Sequence, residues 1–304
     1  MKKLTKTGNI QGVLSILLLI LSTFFFFIPV LFIGIAKLFP YAPWRLGCSR
    51  LIDSIAMGWC DINNFNFDRM RNLRLEYSGI DNLSPKNWYL VIANHQSWLD
   101  IVILHRIFNR KIPVLKFFIK DQLKWVPLLG FAWWAMGCPF MKRYSRDYLV
   151  KNPHKKGKDL QATEKAVRIF KQQPASIANF VEGTRFTPDK HSKQSHYRHL
   201  LPPRAGGISF VIQSMGDKIN KILDVTIVYP CAKPSLWDFL CRRMAKVKVV
   251  VKQLDIPQQF LLSNLTQNDT QQEFKEWLNK QWSVKDQLID TIKSQWQQEQ
   301  ISAH

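Results

Sequence analysis

Acidic side chains are scarce in this chain. Its 22 Asp and Glu stand against 43 Lys and Arg, a formal net charge of +21, which excludes a surface built to attract cations and points to an anionic partner. Phosphate groups, nucleic acid and bilayer headgroups all qualify on charge alone. Cysteine is also sparse: Cys48, Cys60, Cys138, Cys231 and Cys241 are far apart and form no C-x-x-C pair. That excludes a disulfide framework and a thioredoxin-type motif, and it favours a reduced compartment. No internal repeat or low-complexity tract is present. Nor does any recognition helix, zinc finger or aromatic platform motif support nucleic acid as a partner. The one histidine cluster, His191, His196 and His199, has neither Cys nor acid at ligand spacing, so no metal is expected.

Apolar residues, by contrast, make up 46% of the 304 positions, ample for a sizeable core. Thirty consecutive positions, 7–36, carry no charge, and 13–27 are almost purely Leu, Ile, Val and Phe. This stretch is too long for a signal-peptide core and predicts a membrane anchor over 1–40. Pro29 leaves two forms open, a single kinked span or two short helices dipping into one leaflet. Lys2, Lys3 and Lys6 on one side balance Lys37, Arg45 and Arg50 on the other, so charge does not set the orientation. Residues 41–75 read as a connector, and 76–304 as one catalytic domain.

Within that domain apolar runs alternate with helical patterns, which predicts an α/β fold with a mixed sheet flanked by helices. Residues 88–93 form a β-type run that leads into Asn94 and His95. Ser97 and Asp100 then open an apolar helix as a capping box, with Ser97 as N-cap. Residues 176–181 form a second run, preceded by a helix over 159–173 and followed by Glu182-Gly183-Thr184-Arg185. A third covers 225–229, and Val247, Val249 and Val251 alternate as in a half-buried strand. The tail, 271–298, predicts one or two amphipathic helices with a break at Ser283. The stripe of Trp125, Trp133 and Trp134 reads as core, with an acyl pocket or the membrane interface as alternatives. Lysines between 142 and 171 read as a solvated loop or a contact to headgroups.

A His five residues before an Asp is common by chance and fits an ordinary turn with a capping carboxylate equally well. Placement changes its meaning: a strand-end His and a first-turn Asp can meet, whereas within one helix they would diverge by about 140°. Such an Asp fixes one ring nitrogen as donor and leaves the other free to take a proton from a hydroxyl. The Glu-Gly-Thr-Arg turn is rarer by chance. Its glycine lets backbone N–H groups face an anion, and Arg185 can chelate phosphate.

Asn94-His95-Gln96-Ser97-Trp98-Leu99-Asp100, 137–143 ending in Lys142-Arg143, Phe180-Val181-Glu182-Gly183-Thr184-Arg185 and 225–230 ending in Tyr229-Pro230 resemble, in order and spacing, the four blocks of the glycerolipid acyltransferases. The segments Leu-Leu-Pro-Pro-Arg-Ala-Gly-Gly (200–207) and Trp282-Ser283-Val284-Lys285-Asp286 resemble a bacterial inner-membrane subgroup of the lysophosphatidic-acid type. Val181 departs from the proline many members carry there. The resemblance implies His95 as general base, Asp100 as its orienting partner, and Arg143, Glu182, Gly183, Thr184 and Arg185 as acceptor-binding residues. It further implies an acyl-CoA or acyl-ACP co-substrate with no cofactor or metal, a lysophospholipid acceptor, and a bacterial inner-membrane location facing the cytoplasm. A backbone N–H near Ser97 is expected to serve the oxyanion. The rival reading is a non-catalytic basic protein that binds lipid surfaces; it accounts for the charge but not for residues 182–185.

Overall fold

The computed structural model describes residues 6–68, 74–141, 170–244, 246–262 and 268–302. Two long helices come first, α1 (Lys6–Ala36) and α2 (Ala42–Asp68). Pro29 lies inside α1 without splitting it. The helix α2 occupies what sequence suggested was a connector, because its cohesion comes from distant partners. Its Asp53 pairs with the buried Lys116, Asp61 with Arg110, and Asp68 with Arg106.

The strands are β1 (Arg74–Ser78), β2 (Tyr89–Ala93), β3 (Leu115–Phe117), β4 (Ile119–Lys120), β5 (Phe140–Met141), β6 (Ser176–Phe180), β7 (Lys221–Val228) and β8 (Lys246–Leu254). Six of them form a mixed sheet in the order β1-β8-β7-β2-β6-β3, in which only the β7/β8 pair is antiparallel, while β4 and β5 pair separately. The fully buried run of β2 and the long apolar run of β7 suit central parallel strands, covered on both faces. Val247, Val249 and Val251 of β8 all point into one core while the alternating lysines stay outside it.

One face of the sheet is covered by α3 (Leu99–Phe108), whose Leu99, Ile103 and Ile107 are buried with Phe239 and Leu240 of α7 (Leu236–Leu240). Against the other lie α6 (Ala205–Met215) and the C-terminal α9 (Asn268–Ser302), bringing Ile208, Ile212, Phe274, Leu278 and Trp282 into a second core. The expected break at Ser283 does not occur; its hydroxyl bonds back to the Asn279 carbonyl and the helix runs through. Shorter helices are α4 (Leu129–Ala135), α5 (Pro188–Gln194) and α8 (Gln258–Leu262). Trp125 and Trp134 are exposed rather than core, and α4 packs on α1 through Phe131. Most of the expected helix, 159–169, and the lysines from 142 to 169 lie outside the described residues.

Parallel pairing of β2 with both β6 and β7 aligns Ala93 with Phe180 and with Val225. The carboxyl ends of three neighbouring strands therefore release residues 94–100, 181–186 and 229–230 at one edge. Crevices at such strand ends are where α/β sheets present ligand-binding side chains.

Candidate active site

Asn94 fixes where the chain leaves β2. Its buried side-chain amide donates to the Ile227 carbonyl at 2.9 Å and accepts from the Ile227 N–H at 2.9 Å, extending the β2/β7 ladder by one side chain. The backbone then turns sharply, and His95 Nδ1 meets Asp100 Oδ2 at 2.8 Å. An ionised carboxylate carries no proton, so Nδ1 is the donor and Nε2 keeps a free lone pair. The imidazole also stacks on Phe180, ring centroids 3.9 Å apart and 13° from parallel. Two contacts thus fix both its plane and its rotation, while the side chain remains 16% exposed.

Asp100 is wholly buried and saturated. Its Oδ2 also accepts from the backbone N–H groups of Gln96 at 2.6 Å and Ser97 at 2.8 Å, and its Oδ1 accepts from the Tyr229 hydroxyl at 2.7 Å. Burial and the adjacent carboxylate hold the Tyr229 phenol well above its usual range, so it stays a donor. One sequence expectation changes here. Trp98 rather than Ser97 is the N-cap of α3, although the Ser97 hydroxyl accepts from the Leu99 N–H. Of the backbone N–H groups near the helix start, where an oxyanion donor is expected, that of Ser97 donates to Asp100.

The second segment is stitched to the first through the His95 backbone. Its N–H donates to Glu182 Oε1 at 3.4 Å, and its carbonyl accepts from the Phe186 N–H at 2.7 Å. Glu182 is only 2% exposed. Burial pushes its carboxyl up to about 8, opposed by the backbone N–H groups of His95 and Leu201 and by the Lys285 ammonium. It therefore sits beneath the site rather than in its mouth. Gly183 has φ +70°, and a Cβ there would come within 3.0 Å of Arg204 Cδ, so glycine is needed for both the turn and the close approach of that arginine. Arg185 is exposed and lies over the Trp98 ring, 5.6 Å from its centroid. Thr184 accepts at Oγ1 from Lys190 Nζ of α5 at 2.7 Å.

The structure thus brings His95, Asp100, Glu182, Gly183, Thr184 and Arg185 to one edge of the sheet. Arg143 lies outside the described residues. Among the described residues no group of three His, Cys, Asp or Glu is placed to hold a metal ion. The sequence blocks contain Asn94, Phe180 and Tyr229, but sequence reasoning gave no role to these or to Lys190 and Arg204. Tyr229 left one faint signal, a hydroxyl-bearing ring at the end of an otherwise apolar strand.

A family model described as Acyltransferase matches residues 74–232, which contain every one of these groups. The chain belongs to the acyltransferase family. Among curated members, mouse 1-acyl-sn-glycerol-3-phosphate acyltransferase epsilon is 28% identical over 233 residues, covering 67% of this chain and 58% of the mouse protein. The match therefore spans less than two thirds of that relative's length. Lysophosphatidylinositol acyltransferase 10 of Caenorhabditis elegans is 25% identical over 89% of this chain and 68% of its own. The crystal structure of the 1-acyl-sn-glycerophosphate (LPA) acyltransferase PlsC from Thermotoga maritima aligns at a TM-score of 0.50 over 91% of this chain and 97% of that one. At 14% identity this family member shares its fold with that structure.

Proposed function

We propose that this acyltransferase moves an acyl group from a CoA or ACP thioester to the free hydroxyl of lysophosphatidic acid or a related lysophospholipid. One observation carries the reading: an Asp-held imidazole with a free nitrogen and partial exposure, on the same strand ends as an exposed arginine. His95 Nε2 takes the proton of the acceptor hydroxyl as its oxygen attacks the thioester carbonyl. The tetrahedral intermediate collapses with cleavage of the carbon–sulfur bond, and the protonated imidazole returns its proton to the departing thiolate. Asp100 supports the transient positive charge. Neither a covalent enzyme intermediate nor a cofactor or metal enters the sequence of steps.

Arg185 and, from the family resemblance, Arg143 bind the acceptor phosphate, with Gly183 and Thr184 shaping the turn. Glu182, which resemblance placed among the acceptor's ligands, acts here from below by holding the His95 backbone. Transfer from acyl-CoA and acyl-ACP to a panel of lysophospholipids tests the reading; no transfer with any pair sinks it in favour of a lipid-surface protein. Within that assay, Arg185→Ala should raise the acceptor KM by about tenfold, the worth of one charge-assisted contact, with kcat nearly unchanged. An equal loss in both parameters would move Arg185 to a transition-state role.

Membrane attachment is supported by α1, the one helix among the described residues long and apolar enough to cross a bilayer, over Gly8–Ala36. Its two ends touch the same catalytic domain. Near the start Asn9 accepts from Arg243, and Gly12 lies against Trp237 of α7; near the end Gly34 abuts Phe131, and Lys37 Nζ donates to the Ala135 carbonyl at 2.8 Å. A perpendicular span of about 46 Å would leave those contacts on opposite faces of the membrane. We therefore place the α1–α2 hairpin in one leaflet, the cytoplasmic one of the bacterial inner membrane. Phe39, Tyr41, Trp44, Trp125 and Trp134 supply exposed aromatic anchors. In a Cys231→Ser background, cysteines at Ile10 and Phe39 should both be shielded from a periplasmic thiol reagent; periplasmic labelling of Ile10→Cys would show a span.

A further inference from the structure

The residue that follows β7 carries a hydroxyl to which the chemistry above gives no task. Val225, Ile227 and Tyr229 alternate along one face of the strand and its exit, and all three are buried in the core shared with α3. That alternation brings Tyr229, only 1% exposed, up against the first turn of α3. A phenol buried so deeply needs a hydrogen-bond partner, and it has one in Asp100 Oδ1 at 2.7 Å. Its place is set through the backbone. Asn94 grips both polar groups of Ile227, two residues before the ring, so the exit that leads to His95 and the exit that leads to Tyr229 are fastened side by side.

The two oxygens of Asp100 are divided between two sides of the site. Oδ2 gathers His95 Nδ1 and the backbone N–H groups of Gln96 and Ser97, while Oδ1 takes the Tyr229 hydroxyl. Among the described residues no other donor reaches Oδ1. A carboxylate gripped through one oxygen can turn about its Cβ–Cγ bond, and one gripped through both cannot. The phenol also shares the negative charge, which weakens the hold of the carboxylate on any second proton-bearing partner. Other titratable or charged groups surround the pair. Glu182 Oε1 takes the His95 N–H from the β6 side, Arg185 lies over Trp98, and Cys231 follows two residues beyond the ring. On the opposite face of β7, Lys285 of α9 is paired with Asp224. Among the described residues, none of these hydrogen-bonds to Asp100 or to the phenol.

We propose that Tyr229 is a positioning residue for this reaction, acting through Asp100: its hydroxyl pins Oδ1, keeps Oδ2 in line with His95, and restrains how tightly the carboxylate holds an imidazolium. The proposal rests on His95 being the base. The working unit is then a chain of three side chains joined by two hydrogen bonds, drawn from the exit of β2, the first turn of α3 and the exit of β7.

Tyr229→Phe in the full-length protein in micelles removes the hydroxyl and keeps the ring. It should lower kcat about 3–30-fold, within the worth of one charge-assisted hydrogen bond, and leave the acceptor KM within about twofold. The acid limb of the kcat/KM profile should move to higher pH by about half a unit or more. The sign follows from charge: without the phenol Asp100 bears its full negative charge and holds the imidazolium more tightly, so the base is lost to protonation sooner as pH falls. Lost packing alone would lower the rate at every pH and leave the limb in place. Added to Asp100→Asn, the phenylalanine should cost less than about twofold more. Replacing Tyr229 with 3-fluorotyrosine keeps the bond and strengthens the donor, and should move the limb the other way. A stationary limb, an undiminished kcat in Tyr229→Phe, a shift of the same sign in both Tyr229 variants, or losses that multiply overturns the proposal. A readout free of turnover separates this from failure of the functional reading. Followed by NMR, the His95 ring nitrogens should take up their proton at higher pH in Tyr229→Phe than in the wild type, and equal midpoints overturn the proposal even if the wild-type protein proves inactive.

Discussion

Replacing His95 with alanine is expected to lower kcat by about 10²–10⁴-fold, the usual worth of a positioned general base. The fold should survive. Asp100 keeps the backbone donors of Gln96 and Ser97 and the hydroxyl of Tyr229, so no buried charge is stranded, and the stacking of the ring on Phe180 is lost. A steady-state assay together with a thermal melt separates the two effects. Undiminished kcat in a folded variant would remove His95 from the mechanism. A collapsed melting transition would show that the stacked imidazole is structural.

The second large effect is expected at Asp100, and asparagine is the informative substitution. Three donors converge on Oδ2, which forces the amide oxygen into that position, and the amide nitrogen then faces Tyr229. The phenol can accept as well as donate. Asp100→Asn therefore keeps every hydrogen bond and removes only the charge. With no anion beside it the imidazolium is no longer supported, and kcat should fall by about 10²–10³-fold at a stability cost of about 1–3 kcal/mol. Alanine at this position would instead leave two backbone N–H groups and a phenol unsatisfied inside the protein, confounding chemistry with unfolding. Asp100→Asn with wild-type kcat would mean that Asp100 serves only as the turn's hydrogen-bond hub.

The pairing of His95 with Asp100 is legible in the sequence because both ends of the loop announce themselves, an apolar run stopping at Asn94 and a polar-to-apolar switch at Asp100. The strands β2, β6 and β8 were legible for the same reason, since each is a short β-type run or an alternation with a clear end. What failed to show were features made by distant partners. The helix α2 carries Asp53, Asp61 and a terminal Asp68, and each of these finds its cation far along the chain, at Lys116, Arg110 and Arg106. Glu182 reads as half of a polar turn, and only the folded chain shows that it is buried. Ser97 reads as a cap because its residue type favours one, whereas the carboxylate of Asp100 claims its N–H and moves the cap to Trp98.

Anchorage of α1 at both ends has a mechanical consequence. A catalytic domain on a flexible tether samples many heights above the bilayer and must fall back to its substrate for each turnover. With the anchor lying in one leaflet as proposed, Asn9 and Lys37 bolt it to α7 and α4, so the strand-end crevice would ride at one fixed elevation over the lipid plane. Such a protein would search for acceptors in two dimensions, and its reach would be a constant of the fold: a headgroup that lifts its hydroxyl a few ångströms too high or too low would be rejected by altitude alone.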